Sequence, residues 1–277
     1  MNKIQSILSL IRFGNIIIAG ITILLASYMI ASTTNILSCM FIVGFSMALG
    51  NIFNDLLDIN IDKIIHNNRP LITQTITKKE AKILITICFI FILIFFGNLN
   101  DVARYVYIII LLPLLILYSL FLKKIPFIGN IVVAFLLGFV FIFTELVALG
   151  TYNQLIIPAF LAFGLSWIRE LIKDISDYDG DYNSHINTVP VYFSITFSKY
   201  FTIFLIVFFS IAALMPYFIH YYRFNYLLSL IFLVEIPLYI LVFLLLNKPT
   251  KTTYAKLTYL TKGIVINGLI VLYITTI

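Results

Sequence analysis

Two short stretches of this chain carry carboxylates at a spacing suited to holding a cation. The first reads Asn54-Asp55-Leu56-Leu57-Asp58-Ile59-Asn60-Ile61-Asp62, and the second reads Lys173-Asp174-Ile175-Ser176-Asp177-Tyr178-Asp179-Gly180-Asp181. Both contain D-x-x-D-x-x-x-D, and Asp174, Asp177 and Asp181 follow Asp55, Asp58 and Asp62 by 119 residues each, an internal repeat in register. If each stretch is helical, positions i, i+3 and i+7 share a face, so each motif offers a stripe of three carboxylates. Crowded carboxylates repel one another, and two such stripes facing each other would need a cation to neutralise them. Mg2+ suits them best, because it takes oxygen ligands and usually binds through one or two carboxylates together with a substrate's phosphates.

Basic residues accompany the motifs. Arg69, in Asn67-Asn68-Arg69-Pro70, sits in a turn that could aim it at the metals, and Lys123, Lys124, Arg169 and Lys173 fall on the same side of the chain's folding plan. A metal site that must also hold a polyphosphate needs such donors. Taken singly, a solvated acidic turn explains one motif, and an ordinary topological charge explains Lys123 and Lys124, equally well, whereas for Arg69 the site reading is favoured; repetition at matched positions is what favours a site.

The elements that must position these residues are membrane helices. Of 277 residues 62% are hydrophobic and only 11% charged, with a mean hydropathy of +1.08, whereas a soluble domain carries about 25% charged residues. Disorder, collagen, coiled coil and disulfide scaffold are excluded by the same figures. Stretches such as Tyr105 to Leu122 and Tyr226 to Leu246 are apolar on every side, which fits helices rather than alternating barrel strands. The expected fold is therefore an all-α, multi-pass bundle. Nine spans are expected, near 14–31, 35–53, 81–97, 104–122, 127–148, 154–171, 199–219, 225–246 and 259–276.

Charge fixes the orientation. With the N-terminus in the cytoplasm, all of the 18 Lys and Arg except Arg104 and Arg223 fall on the inner side. The C-terminus then lies outside, and the long loops 54–80 and 172–198, which hold the acidic motifs, are cytoplasmic. Each motif starts at the inner end of an even-numbered span, so the repeat is parallel: units at about 14–122 and 127–246, a final helix at 259–276, and one domain over 1–277. The net charge of +6 follows from this orientation and from attraction to anionic lipid, with no nucleic acid implied.

Other residues say less. Cys39 and Cys88 lie in apolar runs and read as packed free thiols. His66, His185 and His220 lack metal-ligand spacing. Glu145 and Glu235 lie deep in expected spans, where a carboxylate invites a functional reading, but a protonated acid hydrogen-bonded to a neighbouring helix explains them equally well.

The motifs resemble those of the UbiA superfamily of intramembrane prenyltransferases: N-D-x-x-D-x-x-x-D as Asn54 to Asp62, the following Arg69-Pro70, and R-E-x-x-K-D-x-x-D-x-x-G-D as Arg169 to Asp181. The run from Trp167 to Tyr182, and Tyr118 with Lys123-Lys124, look most like the digeranylgeranylglyceryl phosphate synthase-like branch. In the ubiquinone-type branch a lysine usually follows the tyrosine by four residues, whereas here Leu122 holds that place. The resemblance implies two Mg2+ ions, Asn54, Asp58 and Asp62 serving one metal group and Asp174, Asp177 and Asp181 the other, with Asp55 supporting. Asp55, Asp58, Asp177 and Asp181 would be catalytic, and Arg69, Lys123, Lys173 and Arg169 would grip the diphosphate. The donor would be a polyprenyl diphosphate such as geranylgeranyl diphosphate. The acceptor would be the hydroxyl of geranylgeranylglyceryl phosphate, or a hydroxylated aromatic ring as in quinone synthesis; cyclisation of the prenyl chain on itself is a third outcome. A transporter would also hold carboxylates in a bundle, but usually at midplane and often on inverted repeats.

Overall fold

The computed structural model describes residues 2–65, 68–184, 186–247 and 251–276, and every regular element among them is helical. Each expected apolar run falls on helix. Among the described residues six helices are long and apolar enough to cross a membrane: Ile36–Leu57, Asp101–Leu120, Ile128–Leu149, Ile195–Phe218, Phe224–Leu246 and Thr253–Ile274. Lys3–Leu10 and Phe13–Met29, bent by 57°, make a seventh if the pair is one span. Two further expected spans lie on helices with charged ends. Lys78–Phe96 opens with Lys78, Lys79, Glu80 and Lys82, and Ile156–Asn183 runs on into the second acidic motif. Large apolar side chains such as Ile109, Phe232 and Phe243 are exposed, as side chains facing lipid should be.

The chain divides into two units. One comprises residues 1–123, 140–154 and 183–185. Its first bend comes from Arg12, whose φ of 53° is left-handed and ends the short Lys3–Leu10 helix before the Phe13–Met29 helix begins. Around the first acidic motif, Leu10, Ala48, Ile52, Ile59, Leu71, Ile76, Ala81 and Cys88 pack as one buried cluster. The Lys78–Phe96 helix starts at a reciprocal cap, in which the Thr77 hydroxyl accepts from the Glu80 amide while the Glu80 carboxylate accepts from Thr77 N.

Glu145 belongs to this unit and is fully buried. Its carboxylate accepts from the Thr151 hydroxyl at 3.1 Å and from the backbone amides of Asn153 at 2.7 Å and Gln154 at 3.0 Å. It thus closes the turn after the Ile128–Leu149 helix, a turn that also uses Gly150 at φ 73°. Glu145→Ala removes the charged acceptor that Thr151, Asn153 and Gln154 share, each such hydrogen bond being worth about 1.5–3 kcal/mol. The expected result is a clear fall in melting temperature in detergent, with Glu145→Gln losing much less because it keeps an acceptor.

The second unit comprises residues 124–139, 155–182 and 186–277. The Ile128–Leu149 helix approaches the Ile156–Asn183 helix so closely at Gly138 that an added Cβ would lie 2.6 Å from the Ala159 carbonyl oxygen. Only glycine permits that separation. Trp167 and Phe127 both pack against Phe201 of the Ile195–Phe218 helix.

Each unit contains one helix with a π-helical turn just before a proline: Tyr107–Leu111 before Pro113, and Ile231–Glu235 before Pro237. Proline has no N–H to donate one turn back, and the wider turn absorbs the defect. In the second case the carbonyl of Leu233 is taken up by Asn267 Nδ2 at 2.9 Å. Glu235 is buried at the end of that same turn. Cys39 and Cys88 are buried free thiols, as expected. His66 and His185 lie outside the described residues.

Candidate active site

The first acidic motif is not one straight helix. The Ile36–Leu57 helix ends at Asp58, whose φ and ψ of −92° and 7° stop it, and the short Ile59–Ile65 helix begins at once. Asn54 and Asp55 therefore sit on the end of a long helix, Asp58 at the break, and Asp62 on the following turn, tied back by its amide to the Asp58 carbonyl at 2.8 Å.

Basic groups converge on all four. Lys123, in the short helical turn Leu122–Lys124, donates through Nζ to Asn54 Oδ1 at 2.8 Å and to Asp58 Oδ1 at 2.6 Å. Arg69 Nη1 donates to Asp55 Oδ1 at 3.1 Å and also to Asp62 Oδ2. Its position is fixed by the turn that follows, in which Ile72 and Thr73 donate to the Arg69 carbonyl at 2.9 and 3.0 Å. Arg12 Nη2 reaches Asp55 Oδ1 at 3.2 Å. Burial pushes Asp62 up to about 6, an effect that Arg69 opposes and Asp55 and Asp58 reinforce.

The second motif lies wholly on the Ile156–Asn183 helix, so Asp174, Asp177 and Asp181 do share a face as the spacing demands. Asn130 Nδ2 donates to Asp174 Oδ2 at 2.8 Å. Burial nonetheless pushes Asp174 up to about 8, against the pull of Asn130 and Lys173. Burial and then the neighbouring Asp177 raise Asp181 to about 6, with the Thr188 side chain and Lys173 opposing. Asp179 is exposed, off the common face.

The basic residues expected to grip a diphosphate behave differently in the two motifs. Arg69 and Lys123 hold the aspartates of the first. Arg169 instead pairs with Glu170, and Lys173 Nζ lies 4.0 Å from Glu170 Oε2. Lys124 is exposed. Sequence reasoning did not single out Arg12 or Asn130 as partners of the motifs. Arg12 reads as one more inside-positive charge, and the only signal for Asn130 is an amide standing in an apolar run just after Lys123-Lys124.

Among the described residues no three His, Cys, Asp or Glu converge as a ready-made metal cage. The donor chemistry still fits Mg2+: each motif supplies only hard oxygen atoms. The raised Asp62, Asp174 and Asp181 are carboxyls whose charged form lacks enough compensation, which a divalent ion would provide.

Residues 15–262 match the UbiA prenyltransferase family. A protein of Methanocaldococcus jannaschii named digeranylgeranylglyceryl phosphate synthase is 33% identical over 285 residues, a match covering 99% of this chain and 96% of that protein. A solved structure described as giving insights into digeranylgeranylglyceryl phosphate synthase in membranes superposes with a TM-score of 0.74 at 29% identity, over 100% of this chain and 99% of its own. A UbiA homologue from Archaeoglobus fulgidus, solved bound to GPP and Mg2+, shares the fold with a TM-score of 0.67 at 18% identity, over 96% of this chain and 99% of that one.

Proposed function

The chain belongs to the UbiA prenyltransferase family, and from that premise we propose that it transfers a polyprenyl group from a prenyl diphosphate, such as geranylgeranyl diphosphate, to the hydroxyl of geranylgeranylglyceryl phosphate. The observation that carries the choice of acceptor is the 33% identity with the M. jannaschii synthase along 99% of this chain. The product is a doubly prenylated glycerol phosphate, an ether-lipid intermediate.

In this reading Asn54, Asp58 and Asp62 hold one Mg2+ ion and Asp174, Asp177 and Asp181 a second. Bound Mg2+ would supply charge neutralisation on the departing diphosphate. Arg69, Lys123, Arg169 and Lys173 add charge-assisted hydrogen bonds to the same leaving group. Their present carboxylate partners are the groups from which they would turn. Asp55, held by Arg12 and Arg69, fixes the latter's position. An allylic cation must be kept from water, and a cavity in the bilayer does this.

The topology proposed for this chemistry has nine spans, arranged as two parallel four-helix repeats and a final helix within one domain. The N-terminus and both acidic motifs are cytoplasmic and the C-terminus lies outside. The inside-positive distribution of Lys and Arg supports it, as does helix over every expected span.

A panel of acceptors tests the proposal. Purified protein with Mg2+ and geranylgeranyl diphosphate should prenylate geranylgeranylglyceryl phosphate and leave 4-hydroxybenzoate and dihydroxynaphthoate untouched, read by mass analysis of extracted lipid. Removing the acceptor's phosphate should weaken its use by roughly 1.5–3 kcal/mol for each charge-assisted hydrogen bond lost. Turnover of an aromatic acid without turnover of the glycerol lipid would move the protein to the quinone branch.

A further inference from the structure

The internal repeat extends beyond the aspartates to the groups that hold them. Asp55 is met by Arg12 from the start of its unit's first long helix, and Asp174 by Asn130, near the start of the Ile128–Leu149 helix. Asp62 is met by Arg69; Thr188, which neighbours Asp181, stands 119 residues after Arg69, in the register of the motifs themselves. The partners correspond in place but not in charge.

In the first motif Asp55, Asp58 and Asp62 are matched by Arg12, Arg69 and Lys123, three carboxylates against three cations. In the second, the donor to Asp174 is the neutral Asn130, and among the described residues Asp174, Asp177 and Asp181 make no ion pair. Arg169 pairs with Glu170, while Lys173, 4.0 Å from Glu170, favours the charged forms of Asp174 and Asp181 by its charge alone. A divalent ion entering the first motif must break the bonds of Lys123 to Asp58 or of Arg69 to Asp62, leaving a partly buried cation in search of a new partner. One entering the second has no ion pair of these aspartates to break.

Resting on the reading that both motifs hold Mg2+, we propose that the motifs load in a fixed order: Asp174, Asp177 and Asp181 take a divalent cation in the free enzyme, whereas Asn54, Asp58 and Asp62 take one only when a prenyl diphosphate draws Lys123 and Arg69 off their carboxylates. The second motif is then the resident metal site and the first a substrate-gated one. Lys123 is the gate, because it covers both Asn54 and Asp58.

The test is a titration of the full-length, detergent-purified protein with Mn2+, followed by electron paramagnetic resonance and repeated with Mg2+ by calorimetry. Without diphosphate one equivalent should bind, and a non-reactive thiolodiphosphate analogue of the prenyl donor should bring in a second. Asp177→Asn should weaken the first ion by at least about tenfold, while Asp58→Asn leaves it in place and removes only the analogue-dependent ion. Lys123→Gln should admit the second ion without any analogue, a gain that misfolding cannot produce. Two ions of equal affinity in the absence of the analogue would overturn the order, as would loss of the first ion in Asp58→Asn but not in Asp177→Asn, while leaving the Mg2+ reading intact. Binding of no ion with or without the analogue would overturn both.

Discussion

Stripping divalent metal from the purified protein with EDTA should abolish prenyl transfer, and adding Mg2+ back should restore it. This is the largest effect expected of any treatment, because it withdraws the counter-charge from five aspartates at once and from the leaving group they serve. The raised Asp62, Asp174 and Asp181 show how poorly the protein alone compensates that charge. Product lipid measured by mass spectrometry against residual metal measured by elemental analysis is the decisive pair of readings. Full turnover in a thoroughly chelated sample would end the two-metal reading and leave Arg69 and Lys123 to stabilise the diphosphate unaided.

Asp58→Ala and Asp177→Ala should each lower turnover by at least about 100-fold, the scale of losing one strong electrostatic stabiliser. They should do so for different reasons. Loss of Asp58 also removes the two bonds that Lys123 makes to its carboxylate oxygens, so on the proposed mechanism that variant would misplace a diphosphate-binding cation as well as remove a metal ligand. Loss of Asp177 removes the middle carboxylate of a helical stripe and leaves the other two in place. Asp179→Ala should have little effect, since Asp179 is exposed and off the shared face. Initial rates at saturating Mg2+, with helical content checked by circular dichroism, separate the three. Equal damage from all of them would mean that the D-x-x-D-x-x-x-D register has been misread.

The second motif was legible because its chemistry and its geometry share one period: a continuous helix places i, i+3 and i+7 together, and Ile156–Asn183 is continuous. The first has the same spacing but breaks at Asp58. No glycine or proline marks that break; it falls among Asn54, Asp55, Asp58 and Asn60, side chains that compete with the helix for backbone hydrogen bonds. Lys123 was legible as a cation on the right face, and it reaches the first motif. Arg169 and Lys173 carry the same signal, yet Glu170 lies between them on one helix, pairs with Arg169 and stands 4.0 Å from Lys173. Arg12 was illegible as a site residue because its role depends on a left-handed turn and on contact with Asp55 across 43 residues of sequence. Prolines 113 and 237 were the only trace of the two π-helical turns, and a proline alone does not say whether a helix kinks, breaks or widens.

The cap at Glu145 bears on how the chain enters a bilayer in the first place. A carboxylate on an apolar helix must be shielded as the helix enters hydrocarbon, and Glu145, four residues before Leu149, lies between two long apolar segments. Thr151, Asn153 and Gln154, all within nine residues of it, donate to its carboxylate. This shield is available as soon as the Ile128–Leu149 helix and the turn after it have been synthesised. The helical hairpin formed with Ile156–Asn183 can then integrate as a pre-satisfied unit, and the segment that will carry Asp174 to Asp181 is delivered to its membrane face already anchored at its far end.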